Sequence, residues 1–365
     1  MNTRDFTELL KGCRPVKDRD GNVIVQSIMN MQIVCLTTDA EFSLDSRFAN
    51  PLKALTSSNS TYGQIKFTNK EDKEVILPTN LAVLTKQSAQ NHGMVKAGYI
   101  PSKAQTTYND AGCVQGSQCG TFRNTQEFRV LPVTMREMLF EAVGKTSGHG
   151  NIYPAIEKLG RDTQSGTGTY IDKYYSKYDK KLEQFIAHFE RPRNLIGIVV
   201  LVDGEIVAID KFPSFSYAEQ VWDIMIRDCY GALAIISELQ HKTSGQEFTE
   251  TYQTLKQRHQ TNVVDLLEKA LKRTKEKMTA SVTEKIQELL ELTFDATLDR
   301  EGQSSSARAP KSYILKTDGY IGQVITENEY NHLVSVVKKE RFNPNALREV
   351  NELRRKARRQ DRFSL

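Results

Sequence analysis

The stretch LIGIVVLV-DG-EIVAID, which spans residues 195–210, decides the fold of this chain. Its first eight residues are apolar on both faces of a strand, which is typical of a central strand covered on both sides. Asp203-Gly204 then favours a two-residue hairpin turn, because both central positions of such a turn need positive φ. Residues 205–210 form the returning strand. The stretch therefore predicts an antiparallel strand pair inside a covered sheet.

Further strands are predicted on either side of this pair. Residues 313–316 and 320–325 flank a second hairpin turn at Asp318-Gly319. Upstream, segments with β-branched and alternating character occur at 23–25, 31–36, 63–67, 74–77, 81–84, 94–100 and 129–133. Short strands at this spacing indicate an antiparallel sandwich or barrel-like core.

Helical periods alternate with these strands. They are predicted at 134–143, 153–159 and 170–189, and a capping box at Ser216-Tyr217-Ala218-Glu219 predicts a helix from there to about Gln240. Residues 245–298 predict two amphipathic helices, and Asn343-Pro344 predicts the start of a last one.

These elements assign the chain to the α+β class. We expect an antiparallel β-rich sandwich or barrel-like core with flanking helices, a helical insertion and a C-terminal basic helix. The predicted core covers residues 1–240 together with 310–337. The insertion covers 245–300, and the basic tail covers 338–365.

The composition predicts a soluble globular protein. Of 365 residues, 39% are hydrophobic and 26% charged, which excludes collagen-like and wholly disordered classes. The longest apolar run has eight residues, whereas a membrane span needs about 20. The start, Met1-Asn2-Thr3-Arg4-Asp5, lacks the pattern of a signal peptide. We therefore expect a cytoplasmic protein.

The net positive charge of the chain comes from its C-terminal end. The net charge is +5, but residues 338–365 alone carry ten basic and four acidic groups. This tail has three open interpretations, which are a solvated helix, a nucleic-acid contact and a helix that binds a protein partner. Its cluster of basic residues would attract phosphates in a salt-dependent way, and it consists of Arg354, Arg355, Lys356, Arg358 and Arg359.

The cysteines and histidines show no pattern of a metal site. Five cysteines lack both a disulfide framework and a Cys-x2-Cys spacing, so reduced thiols are expected. No two of the six histidines lie within four residues of each other. The sequence therefore implies no metal and no cofactor.

Tyrosines and lysines alternate between residues 170 and 181. Basic groups beside aromatic rings can bind single-stranded nucleic acid. The helical spacing, however, places Tyr175 and Tyr178 on the apolar stripe. This spacing favours a structural role for the tyrosines.

Polar side chains concentrate between Thr85 and Gly120, at the ends of predicted strands. Such side chains can bind ribose hydroxyls, phosphates or base edges, and glycines allow a ligand to approach the backbone. The segment therefore predicts a binding pocket, although a hydrogen-bonded loop anchor remains the alternative. The candidate ligand-binding residues are Lys86, Gln87, Gln90, Asn91, His92 and Gln118, and Cys113 is a candidate pocket residue.

These blocks, taken in order, resemble one known family. Lys86 to Asn91, Cys113-Val114 and the hairpin from Gly197 to Phe212 resemble an uncharacterised bacterial and phage domain family. That family is named for its association with ADP-ribosylglycohydrolases and rhodanese-like phosphatases. The resemblance covers residues 75–240 and 310–337.

The resemblance implies a link to ADP-ribose or nucleotide metabolism, often in conflict between bacteria and phages. If the chain is phage-encoded, its compartment is the host-cell cytoplasm. The family supplies no settled reaction. This sequence departs from the pattern at Gln115, where an acid is expected, and at His92, where an arginine is expected near Asn91.

Two functions remain open at this point. In the first, a nucleotide- or ADP-ribose-directed protein pairs Lys86 with phosphate and reads sugar or base with Gln87, Gln90 and Asn91. Attack by the Cys113 thiol would need a lower pKa, with Lys86 and His92 as candidate causes, so Cys113 and Lys86 are the candidate catalytic residues.

In the second function, a non-catalytic scaffold binds a protein partner or nucleic acid through residues 245–298 and the basic tail. The sequence alone decides neither between enzyme and binding protein nor the oligomeric state.

Overall fold

The computed structural model describes residues 2–39, 47–59, 61, 63–85, 91–116, 120–122, 127–144, 149–240, 281–299 and 309–340. The strands in chain order are β1 (Asn2–Asp5), β2 (Arg14–Pro15), β3 (Val25–Ile28), β4 (Met31–Thr37), β5 (Leu55–Ser58), β6 (Ile65–Asn69), β7 (Val75–Leu77), β8 (Leu81–Val83), β9 (His92–Gly93), β10 (Gly98–Ile100), β11 (Gln105–Tyr108), β12 (Gly112–Cys113), β13 (Phe128–Val130), β14 (Leu195–Val202), β15 (Glu205–Lys211), β16 (Thr293–Asp299), β17 (Lys311–Lys316), β18 (Tyr320–Glu327) and β19 (Tyr330–Lys338).

The helices are fewer and lie mostly in the middle of the chain. They are α1 (Phe6–Leu9), α2 (Arg136–Glu141), α3 (His149–Asp162), α4 (Ile171–Ile186), α5 (Phe215–Ile224) and α6 (281–290). A 3₁₀ turn, Val133–Met135, precedes α2. A π-helical turn, Met225–Tyr230, continues α5 into helical residues 231–240. No helix in the described ranges is long and apolar enough to cross a membrane.

One ten-stranded antiparallel sheet forms the centre of the molecule. Its order is β1-β16-β17-β18-β19-β15-β14-β4-β2, and β3 pairs with β4 beside β2. Across the described residues the sheet stays open, with β1 at one edge and β2 and β3 at the other. The α+β class is thus confirmed, in the form of an open sheet rather than a closed barrel.

The strand pair that the sequence places at the centre lies there. Strand β14 pairs with β4 on one side and β15 on the other. The turn between β14 and β15 has φ of 52° at Asp203 and 75° at Gly204, as the Asp-Gly turn requires. Both predictions from this stretch are confirmed.

Each face of the large sheet is covered by its own apolar layer. Ile198 and Val200 pack among the small sheets and helices α2 to α5. Val199 and Leu201 pack on the opposite face, with Phe6 of α1 among their neighbours. This double coverage explains why β14 is apolar on both faces.

Three small antiparallel sheets lie on the first of these faces. Their orders are β5-β6-β11, β7-β10 and β12-β9-β8-β13. Of the predicted strand at 94–100, only Gly98–Ile100 forms a strand, β10, and the short strand β9 ends before it, at Gly93. Between β9 and β10 the chain contacts the large sheet, because the Lys96 ammonium lies 2.9 Å from Asp299 of β16 as well as 2.6 Å from Asp110.

The start of α5 differs from the prediction. Ser214, with extended φ and ψ of −159° and 168°, caps the helix by accepting a hydrogen bond from the Tyr217 N–H at 3.2 Å. Ser216 therefore lies inside the helix, and the predicted capping box is wrong. A π turn follows α5 and shifts the helical phase, and Leu233 in the helix beyond it is half-buried.

The predicted helical insertion is only partly described. Residues 241–280 lie outside the described residues, and 281–290 are helical as predicted. Residues 293–298, predicted as helix, instead belong to β16 (Thr293–Asp299), which lies between β1 and β17. Tail residues 341–365 also lie outside the described residues, so the division into core, insertion and tail stays a prediction.

Candidate functional site

A cavity of about 370 Å³ lies where one end of the small sheet β12-β9-β8-β13 meets α4. The strands of this sheet are antiparallel, so the residues after β8 and β12 and those before β9 and β13 reach the same end. The cavity walls combine two carboxylates, two amides, two aromatic rings, one cation and three smaller residues. They are Glu127 and Asp172, Asn91 and Gln115, Phe128 and Tyr175, Arg129, and Leu84, Thr85 and Ser176.

A chain of hydrogen bonds fixes the polar wall of this cavity. The Asn91 Oδ1 accepts from the Thr85 N–H at 2.6 Å, and its Nδ2 donates to the Gln115 Oε1 at 2.5 Å. The Gln115 Nε2 in turn donates to the Asp172 Oδ2 at 3.1 Å. Asn91 and Gln115 are 3% and 8% exposed. Their amide orientations are therefore set by the protein before any ligand arrives.

The second carboxylate oxygen of Asp172, Oδ1, differs from Oδ2 in its surroundings. Oδ1 is shielded from water and has no hydrogen-bond partner in the described part of the chain. A shielded acceptor without a donor costs about 1–3 kcal/mol. A ligand that supplies an O–H or N–H donor at this atom would remove that cost.

Gly116 explains how Asp172 reaches Gln115. The Gly116 N–H donates to the Thr169 carbonyl at 3.0 Å, and the Ile171 N–H donates to the Val114 carbonyl at 3.1 Å. A Cβ atom on Gly116 would lie 2.3 Å from the Thr169 Oγ1. The absence of a side chain at Gly116 thus lets the start of α4 pack directly against the Cys113-Val114-Gln115 block.

Arg129 supplies a cation that is already paired. Its guanidinium lies 3.1 Å from a carboxylate oxygen of Asp228 and 3.1 Å from one of Asp179. It also lies over the Tyr175 ring, 5.1 Å from the centroid. Burial alone would lower the pKa of Arg129, but Asp228 and the other acidic neighbours raise it overall. The guanidinium therefore forms a fixed, charged edge of the cavity.

The π turn also fixes the position of Arg129. Asp228, fully buried in this turn, accepts from Arg129 and also from the Arg227 Nε at 2.7 Å. π turns inside α-helices occur frequently at functional sites. Here the π turn carries Asp228, whose carboxylate lies 3.1 Å from the wall residue Arg129.

The residues after Asp228 join a second buried network. The Arg136 Nη1 donates to both oxygens of Asp210, at 3.0 and 2.8 Å, and its Nη2 donates to the Cys229 Sγ at 3.0 Å. The Tyr230 hydroxyl donates to Asp210 at 2.5 Å. Burial raises the pKa of Cys229 to about 12, so this thiol stays protonated. The network ties β15 to the π turn and, through it, to the cavity.

Of the predicted site residues, the structure brings Asn91 to the cavity. His92 and Cys113 pair with each other across β9 and β12, and both are fully buried. The Cys113 Sγ donates to the Gln115 carbonyl at 2.8 Å, behind the cavity wall. This burial favours a supporting role for Cys113 over nucleophilic attack, which would require contact with a substrate.

The remaining predicted residues lie outside the described residues. Thr85 and Asn91, which flank the segment 86–90 in the sequence, both line the cavity. The roles of the following residues stay predictions: Lys86, Gln87, Gln90, Gln118, Arg354, Arg355, Lys356, Arg358 and Arg359.

Sequence reasoning missed most of the wall residues, among them Glu127, Arg129, Asp172 and Tyr175. Tyr175 is buried in α4, as its helical spacing predicts, yet it also borders the cavity. Asp172 and Gln115 are separated by 57 positions in the chain, so no local pattern connects them. The helical repeat places Asp172, Tyr175 and Ser176 on one side of α4, and this spacing is the sequence pattern that could have identified them.

A second cavity, of about 500 Å³, is mainly apolar and contains none of the predicted site residues. Val133, Val207, Leu233 and Val337 line it. In the described part of the chain no cluster of His, Cys, Asp and Glu side chains is arranged to hold a metal ion. The polar cavity beside α4 is therefore the stronger candidate site.

Comparison with known proteins identifies one family. Residues 25–322 match the model of the ARG and Rhodanese-Phosphatase-superfamily-associated Protein domain, ARPP-1. The match begins at β3 and ends within β18, so it includes every element that borders the polar cavity. No curated protein and no solved structure matches the chain significantly.

Proposed function

We propose, because the chain belongs to the ARPP-1 domain family, that it is a nucleotide- or ADP-ribose-directed protein whose binding site is the polar cavity beside α4. The family is named for its association with ADP-ribosylglycohydrolases and rhodanese-like phosphatases. Association with such enzymes supports a class of ligand and leaves the reaction open. The proposal is therefore one of binding, with the chemistry to be determined.

The hydrogen-bonded wall Asn91–Gln115–Asp172 carries this proposal. Amides and carboxylates recognise the hydroxyls of ribose and the edges of bases. The rings of Phe128 and Tyr175, which also line the cavity, offer apolar area for a base. A volume of about 370 Å³ lies in the range usual for small-molecule sites. A nucleoside therefore fits the chemistry of the cavity.

The phosphate contact in this proposal falls to Lys86. Arg129 is the only cation among the described wall residues, and it is already paired with two carboxylates. Lys86 follows the wall residue Thr85 directly in the chain. Gln87, Gln90 and Gln118 would add contacts to sugar or base, and Cys113 would support the wall through Gln115.

A thermal-shift screen of the full-length protein tests the proposal. The ligands are ADP-ribose, NAD and mononucleotides, each at low and high salt. A ligand at about 100 times its Kd adds about 2.7 kcal/mol to the free energy of unfolding, which raises Tm by roughly a few degrees. We expect such a shift with ADP-ribose or a nucleotide, and we expect it to disappear in Lys86→Ala.

The screen includes two further variants. Asp172→Asn keeps the shape of the side chain and removes its charge, so it should reduce the shift. Asp223→Asn, on an exposed position of α5, is the matched control and should leave the shift intact. The proposal is contradicted if no nucleotide raises Tm, or if all variants respond equally.

We extend the proposal to conflict between bacteria and phages, in the cytoplasm, because the family resemblance implies that setting. The test is phage plating efficiency on bacteria that express the chain or its Lys86→Ala variant. We expect the wild-type chain to change plating efficiency and the variant to lose this effect. Equal plating on both strains would contradict the extension.

A further inference from the structure

Helix α4 presents three exposed lysines beside the polar cavity. They are Lys173, Lys177 and Lys180. At 3.6 residues per turn they fall within about 60° of the helix surface and extend over about 10 Å of its length. Asp172 and Ser176, on the adjoining side of the same helix, line the cavity. A positive stripe therefore runs along the rim of the candidate site.

The acidic residues of α4 do not neutralise this stripe. Asp172, Asp179 and Glu183 fall on a separate line, within about 40° of one another. Asp179 pairs with Arg129, and Glu183 pairs with Arg227 at 2.8 Å.

Among the described residues, the three lysines have no acidic partner. The Lys177 Nζ donates to the Gln164 carbonyl at 2.5 Å, and Lys173 lies over the Tyr170 ring at 4.9 Å. None of the three lysines forms an ion pair with another residue in the described ranges. The stripe is therefore available to an external anion.

The charges inside the cavity have the opposite sign. Glu127 and Asp172 present carboxylates, and the one described cation, Arg129, is paired with two more. A phosphate inside the cavity would be repelled by these groups. A hydroxyl group would instead donate to the Asp172 Oδ1, which has no donor among the described residues. The part of the ligand that enters should therefore carry hydroxyls, while its phosphates remain outside.

We propose that the ligand is the 3′ end of a single-stranded RNA. Its terminal ribose diol donates to Asp172, and the phosphates that precede it lie along Lys173, Lys177 and Lys180. The terminus of an RNA strand combines a diol with a phosphate chain, whereas DNA lacks the 2′-hydroxyl. The length of the stripe exceeds what the single phosphate of a mononucleotide occupies. This inference rests on the proposed function and specifies its ligand class.

Fluorescence anisotropy with an RNA of about eight nucleotides, labelled at its 5′ end, tests the phosphate contacts. The variant carries Lys173→Gln, Lys177→Gln and Lys180→Gln, and the control carries Lys66→Gln, Lys73→Gln and Lys316→Gln at other exposed positions. Each lost phosphate contact lowers the slope of log Kd against log salt by about 0.7. We expect the α4 variant to raise Kd at least about tenfold at low salt and to lower the slope by about 2. Unchanged binding would overturn the inference.

The diol contact is tested with the same RNA ending in a 2′,3′-dideoxynucleotide. We expect this change to raise Kd by roughly tenfold or more for the wild-type protein, as for a lost hydrogen bond to a charged group. The change should have little further effect in Asp172→Asn. If Asp172→Asn fails to fold, Ser176→Trp, a substitution at the exposed mouth of the cavity, replaces it. Equal binding of the dideoxy RNA, or of duplex DNA, would overturn the inference.

Parallel titrations with AMP and ADP-ribose separate this inference from the proposed function. Suppose that either nucleotide binds and loses affinity in Asp172→Asn, and that RNA binds no more tightly than this nucleotide. The RNA assignment then fails, and the proposed function stands. If no nucleotide and no RNA binds, both fail.

Discussion

At the scale of single residues, Gly116 has the most direct link to the site. A methyl group at this position would overlap the Thr169 side chain, which belongs to the segment that leads into α4. We expect Gly116→Ala to lower the free energy of unfolding by about 1–3 kcal/mol, the usual cost of overpacking. Because the strain also moves Asp172 away from Gln115, ligand affinity should fall.

Urea unfolding measures the first effect. Thr169→Ala removes the closest atom, so it should restore part of the stability of Gly116→Ala. Gly319→Ala, at a glycine with no atom within 4 Å of the added carbon, is the control and should be neutral. A stable Gly116→Ala protein with unchanged affinity would show that the close approach of Thr169 is unimportant.

His332 predicts a pH dependence of stability. Burial lowers its pKa to about 4, from about 6.5 in an unfolded chain, although its hydrogen bond with Glu327 acts in the opposite direction. As the pH falls through 6.5, the unfolded chain binds a proton that the folded chain does not. The free energy of unfolding should therefore fall by about 1.5 kcal/mol between pH 6.5 and pH 5 from this group.

Chemical denaturation at pH 6.5, 5.7 and 5.0 measures this slope. His332→Gln should flatten it, whereas His188→Gln, at an exposed position, should leave it unchanged. Identical slopes in wild type and His332→Gln would contradict the assignment.

At the scale of elements, the π turn is the part that connects the core to the cavity. Asp228 in this turn is fully buried and binds two arginines, whereas the second partner of Arg129, Asp179, is half-exposed. Breaking a buried ion pair from one side costs about 3–5 kcal/mol, and breaking an exposed one costs about 0–1 kcal/mol. We therefore expect Asp228→Asn to destabilise the protein far more than Asp179→Asn, as measured by guanidinium unfolding. Equal effects would contradict the central place of the π turn.

The elements differ in how far the sequence predicts them. The β14–β15 hairpin is determined locally, by an apolar run and an Asp-Gly turn, so the sequence predicts it. Strand β16 is determined by its neighbours β1 and β17, which lie far away in the chain, and its residues were wrongly predicted as helix. The same reason explains why only part of the predicted strand at 94–100 is a strand, because the Lys96 side chain pairs with Asp299, which lies far away in the chain, as well as with Asp110.

At the scale of the whole molecule, the candidate site is only partly visible in the sequence. Asn91 and Gln115 lie in the polar segment between Thr85 and Gly120, for which the sequence alone predicts a binding pocket. Asp172 and Arg129 come from a helix and a strand that tertiary packing brings to the same cavity. Where an acid is expected after Cys113-Val114, the structure places the Asp172 carboxylate beside Gln115, from another element.

The basic tail gives a further prediction at this scale. The described wall residues of the polar cavity all lie between Leu84 and Ser176, so we expect deletion of residues 341–365 to leave the Kd for ADP-ribose or AMP within about twofold. Binding assays at two salt concentrations measure this. A loss of nucleotide binding in the deletion variant would contradict the cavity assignment and favour the interaction function instead.

The most direct test of the central claim is calorimetric titration of ADP-ribose and AMP into the full-length protein and into Asp172→Asn and Asp223→Asn. The account predicts saturable binding of at least one ligand, with one site per chain, to the wild type and to Asp223→Asn. Asp172→Asn should bind it about tenfold more weakly or worse, since it loses a charged acceptor. No saturable binding to the wild type, or equal affinity in all three proteins, would contradict the account.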